Sequence, residues 1–375
     1  MREYLLFEAK AFLFQKKILG ILSVWLLISL GIVGQILFLD EGNHEEELYN
    51  ELNDTRIVLR TVENYYRESD SEVTLADNLY KQQGLIASKY NGILFDEADW
   101  FYDSAIELAD LRLAADDYSD EKVPPTLFPR RDFSKRQRAE YQVRKEKALP
   151  VRTDSKNLYD YSLKLLSLYG SLAFLFTLLL TSDLGLGDLS HPSLVKSYPI
   201  KRNKRLFIQT GTRILGGTLG LSILSGLSLF LAEMIFKKSD WLWPVAYYNQ
   251  SSYQTMTLFQ YFFLFLAFLF LLMIHSSFFS YLMNQLFENQ YVTLMVGTVM
   301  YSIGFILPSS GAWISWLSIP YYHLDKVMTG FFAEEVYAGI DLSRGLMSLI
   351  LWGIFFLFIS LRLIHPSRRK EKKNA

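Results

Sequence analysis

The ionisable residues Arg213, Glu233 and His275 stand inside stretches built mostly from Leu, Ile, Phe, Val and small residues. Hydrocarbon penalises a lone charge, so an ionisable group there marks a proton relay, a substrate contact or a paired polar contact between helices. His275 offers relay or substrate chemistry; the alternative is a hydrogen bond to Ser276, Ser277 or backbone. Glu233 and Arg213 fall near opposite ends of one stretch, where long side chains reach for the polar boundary. The five histidines, His44, His191, His275, His323 and His365, form no H-E-x-x-H or i, i+4 pair, and no G-x-x-x-x-G-K-[ST] loop occurs. The chain has no Cys, which removes disulfides, thiolate metal sites and Cys nucleophiles. No catalytic or metal constellation is legible, so the expectation is that this chain is not an enzyme and holds no metal.

The elements that carry these residues are six apolar stretches: Ile18–Leu39, Tyr161–Thr181, Leu206–Ile235, Phe259–Phe279, Tyr291–Leu307 and Leu346–Ile364. Each is close to or above the ~17–25 residues a helix needs to cross ~30 Å of hydrocarbon. Half of the 375 residues are hydrophobic and the net charge is only −1, so charge is segregated into loops and no basic field points to nucleic acid. The first stretch follows Lys10, Lys16 and Lys17, as a signal peptide would. It is longer than a ~7–15-residue signal core and lacks an A-x-A-like site, so it reads as a retained span.

Loop charge predicts orientation. Lys and Arg crowd three places: before the first span, in the 182–205 loop (Lys196, Lys201, Arg202, Lys204, Arg205), and after the sixth span (Arg368 to Lys373). The loops after the third and fifth spans offer mainly Lys237, Lys238 and Lys326. Both termini and the 182–205 loop are therefore expected in the cytoplasm, with Trp241, Trp243, Tyr247, Tyr248, Trp313, Trp316, Tyr321 and Tyr322 anchoring the outer interface. The expected fold is an all-α membrane protein: an interfacial helix over 1–17, a first span over 18–39, a helical extracytoplasmic domain over 40–160, a second span over 161–181, a cytoplasmic loop over 182–205, spans three to six over 206–364 with an outer re-entrant piece at 309–341, and a basic tail over 365–375.

In the large polar segment, Leu48, Leu52, Thr55, Leu59, Val62 and Tyr66 alternate steps of four and three, one stripe of a helix. Further helices are predicted over Val73–Ile86, Glu97–Ala115 and Ser134–Ala148, with the Val123–Pro129 run as a break. From Asp40 to Glu121 there are 22 acidic and 6 basic residues, and from Lys122 to Asp160 there are 11 basic and 5 acidic. Either this field attracts a cationic partner, or acidic and basic helices pack against one another. Gly216 and Gly220 form a GxxxG spacing that permits close helix approach, within one chain or between two.

The loop Ser182–Gln209 resembles that of permease subunits in the type-2 superfamily of ATP-binding-cassette (ABC) exporters. Asp183 closes the second span where that family commonly has Glu, a short helix follows, and Ser197-Tyr-Pro-Ile-Lys-Arg202 is similar to its "leu-pro-ile-ser-arg" turn; Lys201 replaces the usual Ser. The segment Trp316–Asp325 is similar to the family's "leu-ser-x-x-pro-phe-x-tyr" region, and Met1–Lys17, with Tyr4, Phe7, Ala11 and Phe14 at helical spacing, to its connecting helix. The resemblance implies a coupling site at Asp183, Pro192, Tyr198, Pro199, Ile200, Lys201 and Arg202. It implies a separate cytoplasmic ATPase subunit that binds ATP and Mg, a second permease copy or homologue, and outward movement of a peptide, bacteriocin-like, drug or envelope-related substrate across a bacterial cell membrane. The alternative reading of the loop is a basic segment that binds lipid head groups. The alternative reading of the chain is a sensor or scaffold whose outer domain binds a ligand.

Overall fold

The computed structural model describes residues 2–38, 44–65, 70–116, 128–152, 156–190, 200, 202–237, 240–307 and 311–373. Among them, five helices are long and apolar enough to cross a membrane: α2 (Lys16–Phe38), α7 (Leu158–Thr181), α9 (Arg202–Phe236), α10 (Leu258–Phe287) and α14 (Leu342–Lys373). Of these, α7 lies against α2, α9 and α10, and α14 packs on α10. The fifth apolar stretch departs from expectation. Its helix, α11 (Gln290–Ile303), has 14 residues, about 21 Å at ~1.5 Å per residue and short of a full crossing. It ends at Gly304, where a Cβ would lie 2.5 Å from the His323 ring. The chain there turns into two 3-10 turns, Ala312–Trp316 and Ile319–Tyr322.

In hydrocarbon, helix association comes from packing and hydrogen bonds rather than from water exclusion. Two such ladders run through the bundle. Between α7 and α10, Thr177 meets Ser276 at 2.9 Å and Thr181 meets Ser280 at 3.1 Å. Between α2 and its neighbours, Trp25 Nε1 donates to Ser225 Oγ (3.0 Å) and Tyr169 Oη donates to the Trp25 carbonyl (2.9 Å). The GxxxG glycines serve contacts inside the chain: a Cβ on Gly216 would meet the Phe12 ring at 2.7 Å, and one on Gly220 would meet Leu22 at 3.2 Å. They let α1 (Arg2–Leu13) and α2 lie close to α9. Phe12 is the buried residue of α1, while Phe7 and Phe14 of the predicted stripe are exposed.

The polar segment forms a helical domain from α3 (His44–Tyr65), α4 (Asp70–Leu94), α5 (Ala98–Asp116) and α6 (Arg131–Glu146). Leu48, Thr55, Leu59 and Val62 are the buried stripe of α3; Tyr66 lies outside the described residues. Part of the charge asymmetry is met within the domain, where Arg138 pairs with Asp110 at 2.5 Å and Lys145 with Asp103 across α5 and α6. Deeper in, Glu51 of α3 takes both Lys89 of α4 (3.1 Å) and Arg112 of α5.

The chain is mostly helical, as expected, and a single β-hairpin is added to it among the described residues. Strands β1 (Pro244–Asn249) and β2 (Ser252–Thr257) pair antiparallel between α9 and α10. Its two-residue turn places Gln250 at φ 50° and Ser251 at φ 60°, the left-handed pair that Asn-Gly usually supplies. Without that glycine the hairpin gives no signal in sequence. Tyr248 is buried and donates to the Ala338 carbonyl (2.9 Å). Tyr321 and Tyr322 are fully buried as well, so these three tyrosines do not belong to an interfacial belt. The remainder of the chain includes α8 (Leu186–Ser190), α12 (Leu324–Met328) and α13 (Phe331–Glu335).

Burial pushes the Glu51 carboxyl up, but the Lys89 and Arg112 charges outweigh burial and hold it below its ordinary 4.5. A depressed carboxyl contributes stability that is full above about pH 4.5 and is lost as pH falls through the lowered value. Glu51→Gln leaves two buried cations without a carboxylate, which costs about 3–5 kcal/mol. We expect hydrogen exchange across α3–α5 to accelerate in this variant at pH 7, and its acid-dependent opening below pH 4.5 to weaken. Exchange unchanged from wild type would contradict the assignment.

Candidate functional sites: a half-buried ion-pair junction and a charged chamber

The turn that follows α7 delivers Asp183 into a polar junction. Its Oδ1 pairs with Lys17 Nζ at 2.8 Å and its Oδ2 with Arg213 Nη2 at 2.9 Å, and all three side chains are largely enclosed. Lys17 also donates to Ser182 Oγ (2.8 Å) and Arg213 to the Leu180 carbonyl (3.1 Å). Gln15, in the turn between α1 and α2, bridges Asp183 and Arg213, and the Arg213 guanidinium lies 5.1 Å over the Phe12 ring. One carboxylate thus joins α1, α2, α7 and α9. Arg213, expected to reach for a polar boundary, spends its guanidinium on Asp183 and the Leu180 carbonyl.

The other long helices meet the same turn. Asn284 of α10 donates to the carbonyls of Ser182 (2.8 Å) and Leu184 (2.9 Å), and its Oδ1 accepts from Thr293 of α11 (2.7 Å). Gly185, at φ 80°, sits so close to the Tyr281 ring that a Cβ would lie 2.7 Å from it. Leu184, Leu206 and Tyr281 form a small core that also takes in Leu361 of α14. From there the chain runs through α8, where Asp188 accepts from Arg205 Nε (2.9 Å).

Pro192, Tyr198, Pro199 and Lys201 lie outside the described residues. Ile200 is half-buried, and Arg202 opens α9. The intramembrane candidates are not brought together. Glu233 accepts from Trp241 Nε1 (3.0 Å) near the far end of α9. His275 is fully buried, with Nε2 2.9 Å from Tyr322 Oη, which is 2.9 Å from Ser318 Oγ. It therefore reaches across the bundle rather than to its neighbours Ser276 and Ser277. His323, unremarked in sequence, is buried against Tyr301 and Phe305 with Nε2 2.9 Å from the Tyr301 carbonyl. Among the described residues no three His, Asp or Glu gather as a metal site.

At the opposite end of the bundle, a cavity of about 1020 Å³ separates the helical domain from the ends of α2 and α7. Five carboxylates and six basic side chains line it, together with Phe101, Tyr102, Tyr141 and Tyr261. Its hinge side is Glu140 of α6, which accepts from Ala246 N (3.0 Å) and Arg144 (3.1 Å) and lies 3.2 Å from Tyr159 Oη at the start of α7. Arg152 stacks 3.5 Å over Trp243 and pairs with Asp240 at 3.1 Å. Lys135 pairs with Glu334 at 2.7 Å, tying α6 to α13. The domain is thus docked through α6 on one side and open over α7 on the other.

Comparison with known proteins returns no matching family model, no similar curated protein and no similar solved structure.

The junction predicts coupled energetics. Asp183→Asn leaves two enclosed cations unpaired and lowers stability by roughly 3 kcal/mol. The double variant Asp183→Asn with Lys17→Met is expected to lose less than the sum of the two single losses. Thermal unfolding of the detergent-solubilised protein measures both; strictly additive losses would argue against a shared ion pair.

Proposed function

We propose that this chain is the membrane permease subunit of an ATP-binding-cassette exporter, with both termini and the 182–205 loop in the cytoplasm of a bacterial cell. ATP and Mg are bound by a separate ATPase subunit, and the chain itself hydrolyses nothing. Two copies, or this chain and a homologue, form the path for an outward-moving substrate. One observation carries the reading: the polypeptide that enters and leaves the 191–201 segment is anchored at a turn where all the long helices and α1 meet. A push on that segment bears directly on Asp183 and, through it, on α2, α7 and α9 as one body. In this mechanism Asp183, Lys17 and Arg213 are positioning residues that make the helices follow the loop. Pro192, Tyr198, Pro199, Ile200, Lys201 and Arg202 supply the surface that the ATPase grips. In this reading α11 is the fifth crossing, its 14-residue helix extended by the turns that follow it.

The chamber favours a second reading, a sensor or scaffold whose helical domain binds a ligand and whose cytoplasmic loops recruit a partner. The two differ in energetics. For an exporter, an ATPase subunit copurifies in mild detergent, and reversing the charge of Lys201 and Arg202, or replacing Pro199 and Ile200, lowers substrate-stimulated ATP turnover about tenfold, equal to ~1.4 kcal/mol of coupling. Helix content and melting stay at wild-type values. Fully coupled turnover in these variants, or a clean preparation without any ATPase, would overturn the exporter reading.

A further inference from the structure

The wall that α7 contributes to the chamber is Asp160, Leu163, Lys164, Ser167, Leu168 and Ser171, spaced by three and four along one face of the helix. These residues set the depth of the chamber. From Leu165 to Ser182 the chain carries no charge, so Lys164 and Asp183 bracket the apolar length of this helix, about 28 Å at ~1.5 Å per residue. Ser171 is seven residues below Lys164, about 10 Å into the hydrocarbon on the same scale. Lys164, Ser167 and Leu168 are all exposed, Leu168 by 39%. The chamber therefore has a floor at lipid depth on an uncovered helix face, and a ceiling among the charges of the helical domain.

Most of the charges overhead are already matched: Glu51 with Lys89 and Arg112, Glu140 with Arg144, and Arg152 with Asp240. Two are not. Among the described residues, Arg136 of α6 makes no hydrogen bond or ion pair, lying 5.7 Å over the Phe133 ring and feeling the Asp132 carboxylate only at longer range, and Asp54 of α3, exposed at the chamber's rim, likewise carries no ion pair or hydrogen bond. The unspent valences are thus one cation and one carboxylate, in the same chamber. A purely anionic head would leave Asp54 opposed, and a purely cationic one would leave Arg136 opposed. A soluble ligand gains nothing from a floor below the membrane surface, whereas an acyl chain belongs there.

We propose that this chamber binds a zwitterionic phospholipid-type amphiphile, drawn laterally from the leaflet. Its tail follows Leu163, Leu168 and Ser171 on α7, its phosphate meets Arg136, and its amine meets Asp54. The volume lies at the upper end of the ~300–1,000 Å³ of small-molecule sites, enough for a head group and the first part of a chain. The inference does not depend on coupling to an ATPase, and its test contains none, so the two can fail separately.

The full chain is reconstituted in phosphatidylglycerol vesicles with a trace of phosphatidylcholine bearing a photoactivatable acyl chain, and the crosslinked peptides are mapped. The expected label falls on the α7 peptide containing residues 163–171. Arg136→Glu lowers it about tenfold, the loss of one charge-assisted contact. Asp54→Lys lowers capture of the phosphatidylcholine probe and raises that of a phosphatidylglycerol probe with the same chain. The charge-exchanged double variant, Asp54→Lys with Arg136→Glu, regains phosphatidylcholine capture, which separates recognition from misfolding. Leu168→Trp, at an exposed position that tolerates bulk, blocks the floor and lowers capture of both probes. Label on α7 no stronger than on the exposed α11 face at Met295 and Val299, and indifferent to Arg136, would mean ordinary surrounding lipid and overturn the proposal. Displacement of the bound probe by a soluble amphipathic peptide of mixed charge would overturn it too, in favour of a peptide site.

Discussion

The pairing of one carboxylate with two cations at the end of α7 is the constraint on which the rest of this architecture hangs. Asp183 is half-buried among packed helices, where a charge without partners is costly. Lys17 and Arg213 arrive from segments far apart in sequence, and their stems and guanidinium bring Phe12, Ser182 and the Leu180 carbonyl with them. Once this point is fixed, the remaining contacts follow locally. Asn284 reaches the freed carbonyls after α7, Gly185 passes under Tyr281, and the α7–α10 ladder of Thr177, Thr181, Ser276 and Ser280 runs up from it.

The other end of α7 is organised by a different economy. There water is near, and charges are abundant on both sides, so most settle into pairs within the helical domain or across its seam with the hairpin. Glu140 illustrates the seam: one carboxylate takes a backbone N–H from β1, a guanidinium from its own helix and a place beside the Tyr159 hydroxyl. Among the described residues these bonds lie along α6 and at Arg152, and a large cavity remains over the exposed face of α7. The helix α7 is thus fixed firmly at one end and roofed by a charged chamber at the other.

Much of the fold is legible in the sequence because length and apolar composition are one-dimensional properties. The long helices and the α3 stripe of Leu48, Thr55, Leu59 and Val62 are of this kind. The hairpin is hidden because Gln250 and Ser251 take left-handed conformations usually signalled by glycine. The end of α11 is hidden because it depends on Gly304 meeting the ring of His323. The junction is the clearest case. Lys17 reads as an orientation charge, Arg213 as a snorkelling side chain and Asp183 as a loop residue, because no spacing rule links residues 30 to 166 positions apart. Tyr321 and Tyr322 mislead for the opposite reason: aromatics between spans suit an interface, and only the backfolding of the 3-10 turns buries them. The chamber has no sequence signature, since its walls come from the helical domain, α2, α7 and the hairpin together.

In the proposed mechanism Asp183 makes α7 and α9 move as one body. The chain has no cysteine, so spin labels placed at Leu179→Cys on α7 and Leu215→Cys on α9, both exposed, report only the distance between these helices. With Asp183 intact a single narrow distance distribution is expected, and Asp183→Asn is expected to broaden it. A distribution that stays equally narrow in the Asp183→Asn protein would contradict the account.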